Sequence, residues 1–172
     1  LHILSHLKKT DGVAGFLLAN GALNDSDTLE IRKELIQNDK IEAIVVLPRE
    51  LFITTDISVT LWILNQNKKG GNYHDRKLRS RVHEILFMDL RQWTENPVKG
   101  ESKKKVRLVT EQIEKAAAIY HTWQSEGTDG VNYEIPELYR SVGIDEIESK
   151  VKITRNAVNY IGDISKQALS KQ

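Results

Sequence analysis

The amino-acid sequence predicts an α/β fold, with a mixed sheet and helices in residues 1–95 and a helical tail in residues 96–172. Short apolar runs of strand length alternate with helical apolar spacing in the first part. Beyond Trp93 the chain becomes polar and rich in lysine, and its later apolar residues recur at helical spacing. The change in pattern near residue 95 therefore divides the chain.

The first predicted elements are the end of a helix, a strand, a second helix and a second strand. Leu1–Lys9 has helical spacing, and Gly12–Ala19 is an apolar run between turn residues, which predicts a buried strand. Asp27 is placed to cap the second helix, with Glu30 three residues later as in a capping box. Ile41–Leu47 is the second apolar strand. Strand, helix and strand predict a βαβ unit with a right-handed crossover.

Two further strands are predicted at Ile57–Asn65 and His83–Leu90, on either side of a polar, basic loop at Lys68–Arg81. We expect the two strands to pair antiparallel and to form an antiparallel edge of the sheet. Open α/β sheets bind ligands outside the carboxyl ends of their strands. Residues 20–21 and 48–53 occupy such ends, which makes these turns the predicted functional positions.

Three helices are predicted in the tail from apolar residues on one stripe of each segment. Thr110 is placed to cap the first of them. The three segments are Glu111–Ser125, Asp145–Lys150 and Asn156–Leu169.

Composition excludes several kinds of site. The chain has no cysteine, which rules out disulfides and thiolate chemistry. His2 and His6 are spaced to share one helical face, but no third ligand is evident, so we expect no metal site. The net charge is +1, so any contact with nucleic acid must be local. No apolar run approaches the roughly 20 residues that span a membrane.

Several phrases stand in a characteristic order along the chain, two of them specific: Leu-Pro-x-x-Leu-Phe-x-x-Thr and Leu-Trp-Ile-Leu-Asn. The phrases of the first part are Leu18–Leu23, Glu30–Ile36, Val46–Phe52, Thr54–Ile57, Leu61–Lys68 and Ile85–Arg91. As a set they resemble the modification subunits of type I restriction-modification systems, which are adenine-specific DNA methyltransferases. The tail resembles the same family more loosely, through Tyr133–Pro136, Asp145–Ile147 and Tyr160–Gly162.

The resemblance implies transfer of a methyl group from S-adenosylmethionine to the exocyclic amine of adenine, on a base that has left the duplex. It implies that the sheet is the distal part of a Rossmann-like methyltransferase sheet. It also implies a cytoplasmic protein whose partners are DNA and the specificity and restriction subunits of the same system. We expect the tail to help dock the specificity subunit.

Two motifs that perform the chemistry in this family have no counterpart in the chain. The ten glycines include no pair in a Gly-x-Gly turn, and the three prolines are never adjacent as Asn-Pro-Pro-aromatic requires. We interpret the chain as a C-terminal fragment that begins beyond both motifs and holds no catalytic residue. We expect the chain alone to bind S-adenosylmethionine weakly and to be inactive.

The resemblance assigns a target-base pocket to the two predicted turns. Phe52 lies where related amino-methyltransferases place an aromatic that packs on the extruded base, and a core phenylalanine is an equally good interpretation. Asn20 is a second candidate for lining the pocket, although we favour the alternative of a left-handed turn residue before glycine. Thr55 is expected to shape the same loop.

The basic loop is the predicted contact with the DNA backbone, because cations bind phosphates without regard to sequence. A solvated hairpin loop is the alternative interpretation, and we favour it. The candidate cations are Lys68, Lys69, Arg76, Lys77, Arg79 and Arg81.

Two other functions are compatible with the sequence. One is a non-catalytic protein-interaction module that keeps this half of a Rossmann-like fold. The other is a small α/β nucleic-acid binder, which the near-neutral charge disfavours. Without strands on its N-terminal side, the half-sheet would expose an edge and an apolar face, so we expect some self-association.

Overall fold

The structure, a computed structural model, describes residues 2–52, 56–73, 75–93, 106–125, 134–135 and 138–150. The helices are α1 (His2–His6), α2 (Leu29–Gln37), α3 (Thr110–Gln124) and α4 (Ile144–Lys150), with a 3-10 turn at Asn20–Leu23. The strands are β1 (Val13–Ala19), β2 (Ile41–Val46), β3 (Val59–Asn65), β4 (Gly71–Tyr73), β5 (Arg76–Leu78), β6 (Glu84–Asp89), β7 (Glu134–Ile135) and β8 (Tyr139–Gly143). No helix in this part of the chain combines the length and the apolar character needed to cross a membrane.

Six strands form one mixed sheet in the order β1-β3-β2-β6-β8-β7, and β4 and β5 form a separate hairpin. The pairing of β2 with β6 is parallel, and the other pairings in the sheet are antiparallel. All six residues of β2 are buried, because the strand is central and covered on both faces. One face carries a cluster with Leu35 of α2 and Ile147 of α4, and the other packs against Trp123 of α3.

The strand order differs from the predicted βαβ unit. The strands β1 and β2 run in the same direction, but β3 lies between them and pairs antiparallel with both. The expected pairing of the third and fourth predicted strands is therefore wrong, since β6 pairs with β2 and β8 instead. The predicted burial of the first strand is also wrong. Its position at the edge leaves Val13 and Leu17 each 46% exposed.

The tail contributes strands as well as helices. Residues 134–135 and 139–143 were expected in a helical region, but they form β7 and β8, and β8 pairs with β6. Helix α3 covers the sheet face, with Trp123 fully buried and its indole N–H donated to Ser141 of β8 at 3.0 Å. The predicted helix at 156–169 lies outside the described residues.

The predicted helix caps are not formed. Thr28, and not Asp27, precedes α2, and no side chain caps that helix. Helix α3 begins at Thr110 itself, after Val109, whose backbone N–H donates to the Gln112 side chain at 3.0 Å.

Candidate functional site

The candidate site lies where three strands of the sheet end together. Because β1 and β2 are both antiparallel to β3 and β2 is parallel to β6, the carboxyl ends of these three strands share one edge. Asn20 follows β1 at this edge, Pro48 lies beyond the end of β2, and Asp89 ends β6. The residues at these ends are called the carboxyl edge below. The structure thus brings both predicted turns to the same side of the sheet.

Asn20 begins the 3-10 turn, and its backbone N–H donates to the carbonyl oxygen of Ser58 at 2.9 Å. Its side-chain Oδ1 is buried and has no hydrogen-bond partner among the described residues. In that part of the chain, the non-glycine residues with positive φ are Asp39, Glu50 and His83. The left-handed interpretation of Asn20 is therefore wrong. A buried, unsatisfied carbonyl oxygen is costly, so this acceptor needs a donor that the described residues do not supply.

Arg32 holds the turn after β1 in place. It projects from α2, is only 4% exposed, and donates to the Ala22 carbonyl at 2.6 Å, to the Asp25 carbonyl and to the Thr28 hydroxyl. Burial lowers the pKa of Arg32, yet arginine stays charged at neutral pH. Sequence reasoning missed this role. The signal was present, because helical spacing places Arg32 on the same face as Leu35, three residues later.

Phe52 lies at the carboxyl edge with 37% of its surface exposed, and it belongs to neither core cluster. The alternative of a core phenylalanine is therefore wrong. Nearby, Glu50 adopts a φ of 61°, and its carbonyl accepts a hydrogen bond from the N–H of Val106 at 3.3 Å. Thr55, the third predicted pocket residue, lies outside the described residues.

The predicted DNA-backbone loop lies at the opposite edge of the sheet, and two of its cations are buried. The Lys68 ammonium donates to the carbonyls of Ile41 at 2.9 Å and Glu84 at 2.7 Å, where β2 and β6 begin. It also pairs with Asp39, and burial lowers the pKa of Lys68 despite this partner. A six-residue strand rises about 20 Å, at roughly 3.3 Å per residue, and that length separates this loop from the carboxyl edge.

Arg81, the second buried cation, joins a polar cluster around Glu42 of β2. Glu42 is 0% exposed and Arg81 1%, and the Arg81 Nε donates to Glu42 Oε1 at 2.7 Å. The same carboxylate accepts from Gln124 at 3.1 Å and from Asn65 at 2.5 Å. Burial, with Glu42 close by, raises the pKa of Tyr120 above its ordinary range.

The other four cations are divided between structural contacts and the surface. Arg79 donates to both carboxylate oxygens of Glu84, at 2.9 and 2.8 Å, and to the Trp123 carbonyl at 2.7 Å. Arg76 donates to the His121 carbonyl at 3.1 Å, which ties the hairpin to α3. Lys69 and Lys77 have exposed side chains.

Comparison with known proteins places the chain in a family. Residues 1–167 match the family model described as N-6 DNA Methylase. The chain belongs to the N-6 DNA methylase family. It is 34% identical over 153 residues to the type I restriction enzyme HindI methylase subunit of Haemophilus influenzae, a match that covers 86% of this chain and 30% of that protein. The MjaIX methylase subunit of Methanocaldococcus jannaschii is 32% identical over 134 residues, which cover 77% and 22%. The chain thus spans less than a third of the length of these two relatives.

Solved structures show the same fold. The methyltransferase subunit of the type I restriction-modification system from Streptococcus thermophilus superposes with a TM-score of 0.66 at 22% identity, over 91% of this chain and 28% of that chain. A chain from a structure of type I restriction-modification complex assembly gives a TM-score of 0.58 at 18% identity. The expectation of a methyltransferase sheet is confirmed.

Proposed function

We propose that the chain is part of an S-adenosylmethionine-dependent, adenine-specific DNA methyltransferase, the modification subunit of a type I restriction-modification system. The observation that carries the proposal is the family match over residues 1–167, together with relatives that are named as methylase subunits. We propose that the subunit is cytoplasmic and that its substrate is DNA.

The cofactor is bound mainly by parts of the subunit outside this chain, because the chain has neither a Gly-x-Gly turn nor adjacent prolines. Transfer of labelled methyl groups from S-adenosylmethionine to DNA measures this directly. The complete subunit with its specificity subunit should methylate adenine, and this chain alone should not. Methylation by the chain alone would show that a different set of residues binds the cofactor, and an inactive complete complex would contradict the proposed function.

The target base stacks on Phe52, with Asn20 and Thr55 lining the same pocket. The partial exposure of Phe52 at the carboxyl edge supports this role, and base–aromatic stacking is worth roughly 1–3 kcal/mol. In the complete subunit, Phe52→Leu should therefore slow methyl transfer by about 5- to 150-fold. Tyr73→Leu is the matched control, because Tyr73 is another exposed aromatic, 44% exposed, on the hairpin at the opposite edge. Equal rates for the two variants would contradict the assignment of Phe52.

Two exposed cations of the basic loop remain as candidates for contact with the DNA backbone, Lys69 and Lys77. Lys68 and Arg81 are left out of this proposal because both are buried in ion pairs. Replacing Lys69 with glutamine should make the dependence of DNA affinity on salt less steep by about one unit if the lysine contacts a phosphate. An unchanged slope would assign the lysine to the solvated surface.

The specificity subunit docks on the tail, and the restriction subunit joins the same assembly. The exposed face of α3 is the described surface available for docking, since the opposite face is buried on the sheet. Ala118→Arg places a large charge on that face without removing a core residue. Loss of co-purification with the specificity subunit is the expected result. Unchanged association would place the docking surface elsewhere.

A non-catalytic interaction module is the second candidate, and one observation favours it. The edge strand β1 exposes apolar side chains and pairs on one side only, with β3. Such an edge binds another strand, from the rest of a longer subunit or from a second copy of the chain. An inactive complete subunit that still assembles with its partners would support this candidate.

A further inference from the structure

Two large apolar side chains that are close in sequence are exposed at the carboxyl edge. Phe52 is 37% exposed beyond the end of β2, and Ile57 is 56% exposed just before β3 begins. Ile57 is the most exposed of the large apolar residues described. An extruded base is held by stacking between aromatic and apolar side chains, so it requires two walls. Ile57 offers a second apolar surface at the edge where Phe52 lies.

Two arginines accompany this apolar pair. Arg49 lies between the end of β2 and Phe52, its side chain is exposed, and it forms no ion pair with a described residue. Arg91 lies two residues beyond β6, which is the parallel neighbour of β2, and Leu90 donates its N–H to the carbonyl of Val46 at 2.8 Å. Both arginines therefore lie at the carboxyl edge.

Arg91 is held in one orientation by a buried carboxylate. Its Nε donates to Asp89 Oδ1 at 2.9 Å and its Nη2 to Oδ2 at 2.5 Å, while Asp89 is only 8% exposed. The Arg91 side chain remains 34% exposed. A guanidinium has five N–H donors, and Arg91 uses only those on Nε and Nη2 to bind Asp89. The remaining N–H groups can donate to a second acceptor. A phosphodiester oxygen is an acceptor that suits this geometry.

We propose that Arg49, Ile57 and Arg91 complete a nucleotide-binding surface around Phe52. The extruded nucleotide contacts Phe52 and Ile57, and the arginines contact the phosphodiesters that flank it. The inference rests on the proposed function and adds three residues to it. It also implies that DNA meets the carboxyl edge, about 20 Å from the basic hairpin, by the rise of the strands between them.

The test uses the complete modification subunit assembled with its specificity subunit. DNA affinity is measured across a range of salt concentrations for Arg49→Gln and Arg91→Gln. Each variant should make the slope of log affinity against log salt shallower by about one unit, as expected for one lost phosphate contact. Lys8→Gln is the control, because the Lys8 side chain is 72% exposed and lies between α1 and β1, away from the carboxyl edge. Its slope should equal that of the wild type.

Ile57 is tested by fluorescence of 2-aminopurine at the target position, which rises when the base leaves the stack, and by the rate of methyl transfer. Ile57→Ala should lower the fluorescence change and slow transfer by about fivefold or more. Ile3→Ala, at an isoleucine on α1 that is 40% exposed, should change neither. Unchanged salt slopes for both arginine variants, or unchanged fluorescence for Ile57→Ala, would overturn the surface. If the variants give these results but the wild-type complex methylates DNA, the nucleotide-binding surface is wrong and the proposed function still holds. If the wild-type complex does not methylate DNA, the proposed function is wrong.

Discussion

The buried ion pair between Glu42 and Arg81 makes a sharp prediction about stability. Arg81→Met removes the charged partner of a carboxylate that is 0% exposed, and methionine roughly preserves the volume. Removing one partner of a buried pair costs about 3–5 kcal/mol, because the remaining charge stays buried. Asn65 and Gln124 still donate to this carboxylate, so we expect a loss near 3 kcal/mol.

Urea unfolding at pH 7 measures this loss, followed by tryptophan fluorescence because Trp62 and Trp123 are buried. At a slope of about 1–3 kcal/mol per molar urea, the midpoint should fall by about 1–3 M. The double variant Glu42→Gln/Arg81→Met removes the buried charge as well and should recover at least about 1 kcal/mol of the loss. Lys8→Met, which breaks an exposed pair with Asp11, is the control and should leave the midpoint unchanged.

The reasoning is refuted if Arg81→Met lowers the midpoint no more than the control does. It is also refuted if the double variant is no more stable than Arg81→Met. Either result would mean that the carboxylate finds solvent or another donor, and the buried network would then contribute little to the fold.

Three further predictions concern other parts of the molecule. Leu17→Lys, on the exposed side of β1, should reduce self-association of the chain in sedimentation velocity, and a wild-type chain that stays monomeric at high concentration would contradict the premise. The pKa of Glu84 is lowered: burial raises it, but the hydrogen bond and charge of Arg79 outweigh burial. The ionised Glu84 carboxylate therefore stabilises the fold at pH values above the pKa of the unfolded chain, near 4.5, and this stabilisation is lost as the pH falls through the lower pKa of the folded state. Glu84→Gln should therefore make the free energy of unfolding fall less steeply with decreasing pH. Arg32→Met should cost about 1–3 kcal/mol in urea unfolding, because the carbonyls of Ala22 and Asp25 lose their donor, and a loss comparable to that of an exposed substitution would contradict this.

The sequence predicted the α/β class, the main apolar strands and the carboxyl edge, because each depends on local periodicity. It did not predict that β3 lies between β1 and β2. Pairing partners are selected by packing across the whole sheet, and the run of apolar residues in β2 is compatible with a neighbour on either side. The strand β8 was missed for a related reason. Its Tyr139–Gly143 segment is short, has two polar residues, and is stabilised by pairing with β6.

The number of cations in the basic loop did not predict which of them are exposed. Six cations in a polar stretch predicted a solvated or DNA-binding surface, yet Lys68 and Arg81 are buried among carboxylates distant in sequence, Asp39 and Glu42. Sequence distance conceals such partners, because β2 and β6 bring together residues about forty positions apart. Arg32 is the opposite case, since its helical spacing with Leu35 was visible in the sequence and indicated a buried arginine.

The two edges of the sheet differ in how far their polar groups are satisfied. At the amino ends of β2 and β6, ion pairs and amides join the strands to the hairpin and to α3, so their polar groups are used in holding the fold together. At the carboxyl edge, some polar groups lack hydrogen-bond partners and some apolar side chains are not packed. Asn20 Oδ1 has no donor among the described residues, and Phe52 and Ile57 are exposed. Buried polar groups that are satisfied stabilise a fold, whereas exposed apolar groups and unsatisfied acceptors gain from a ligand. Ligand binding is therefore expected at the carboxyl edge, and substitutions in the buried ion pairs at the amino ends of β2 and β6 should lower stability before they change DNA binding.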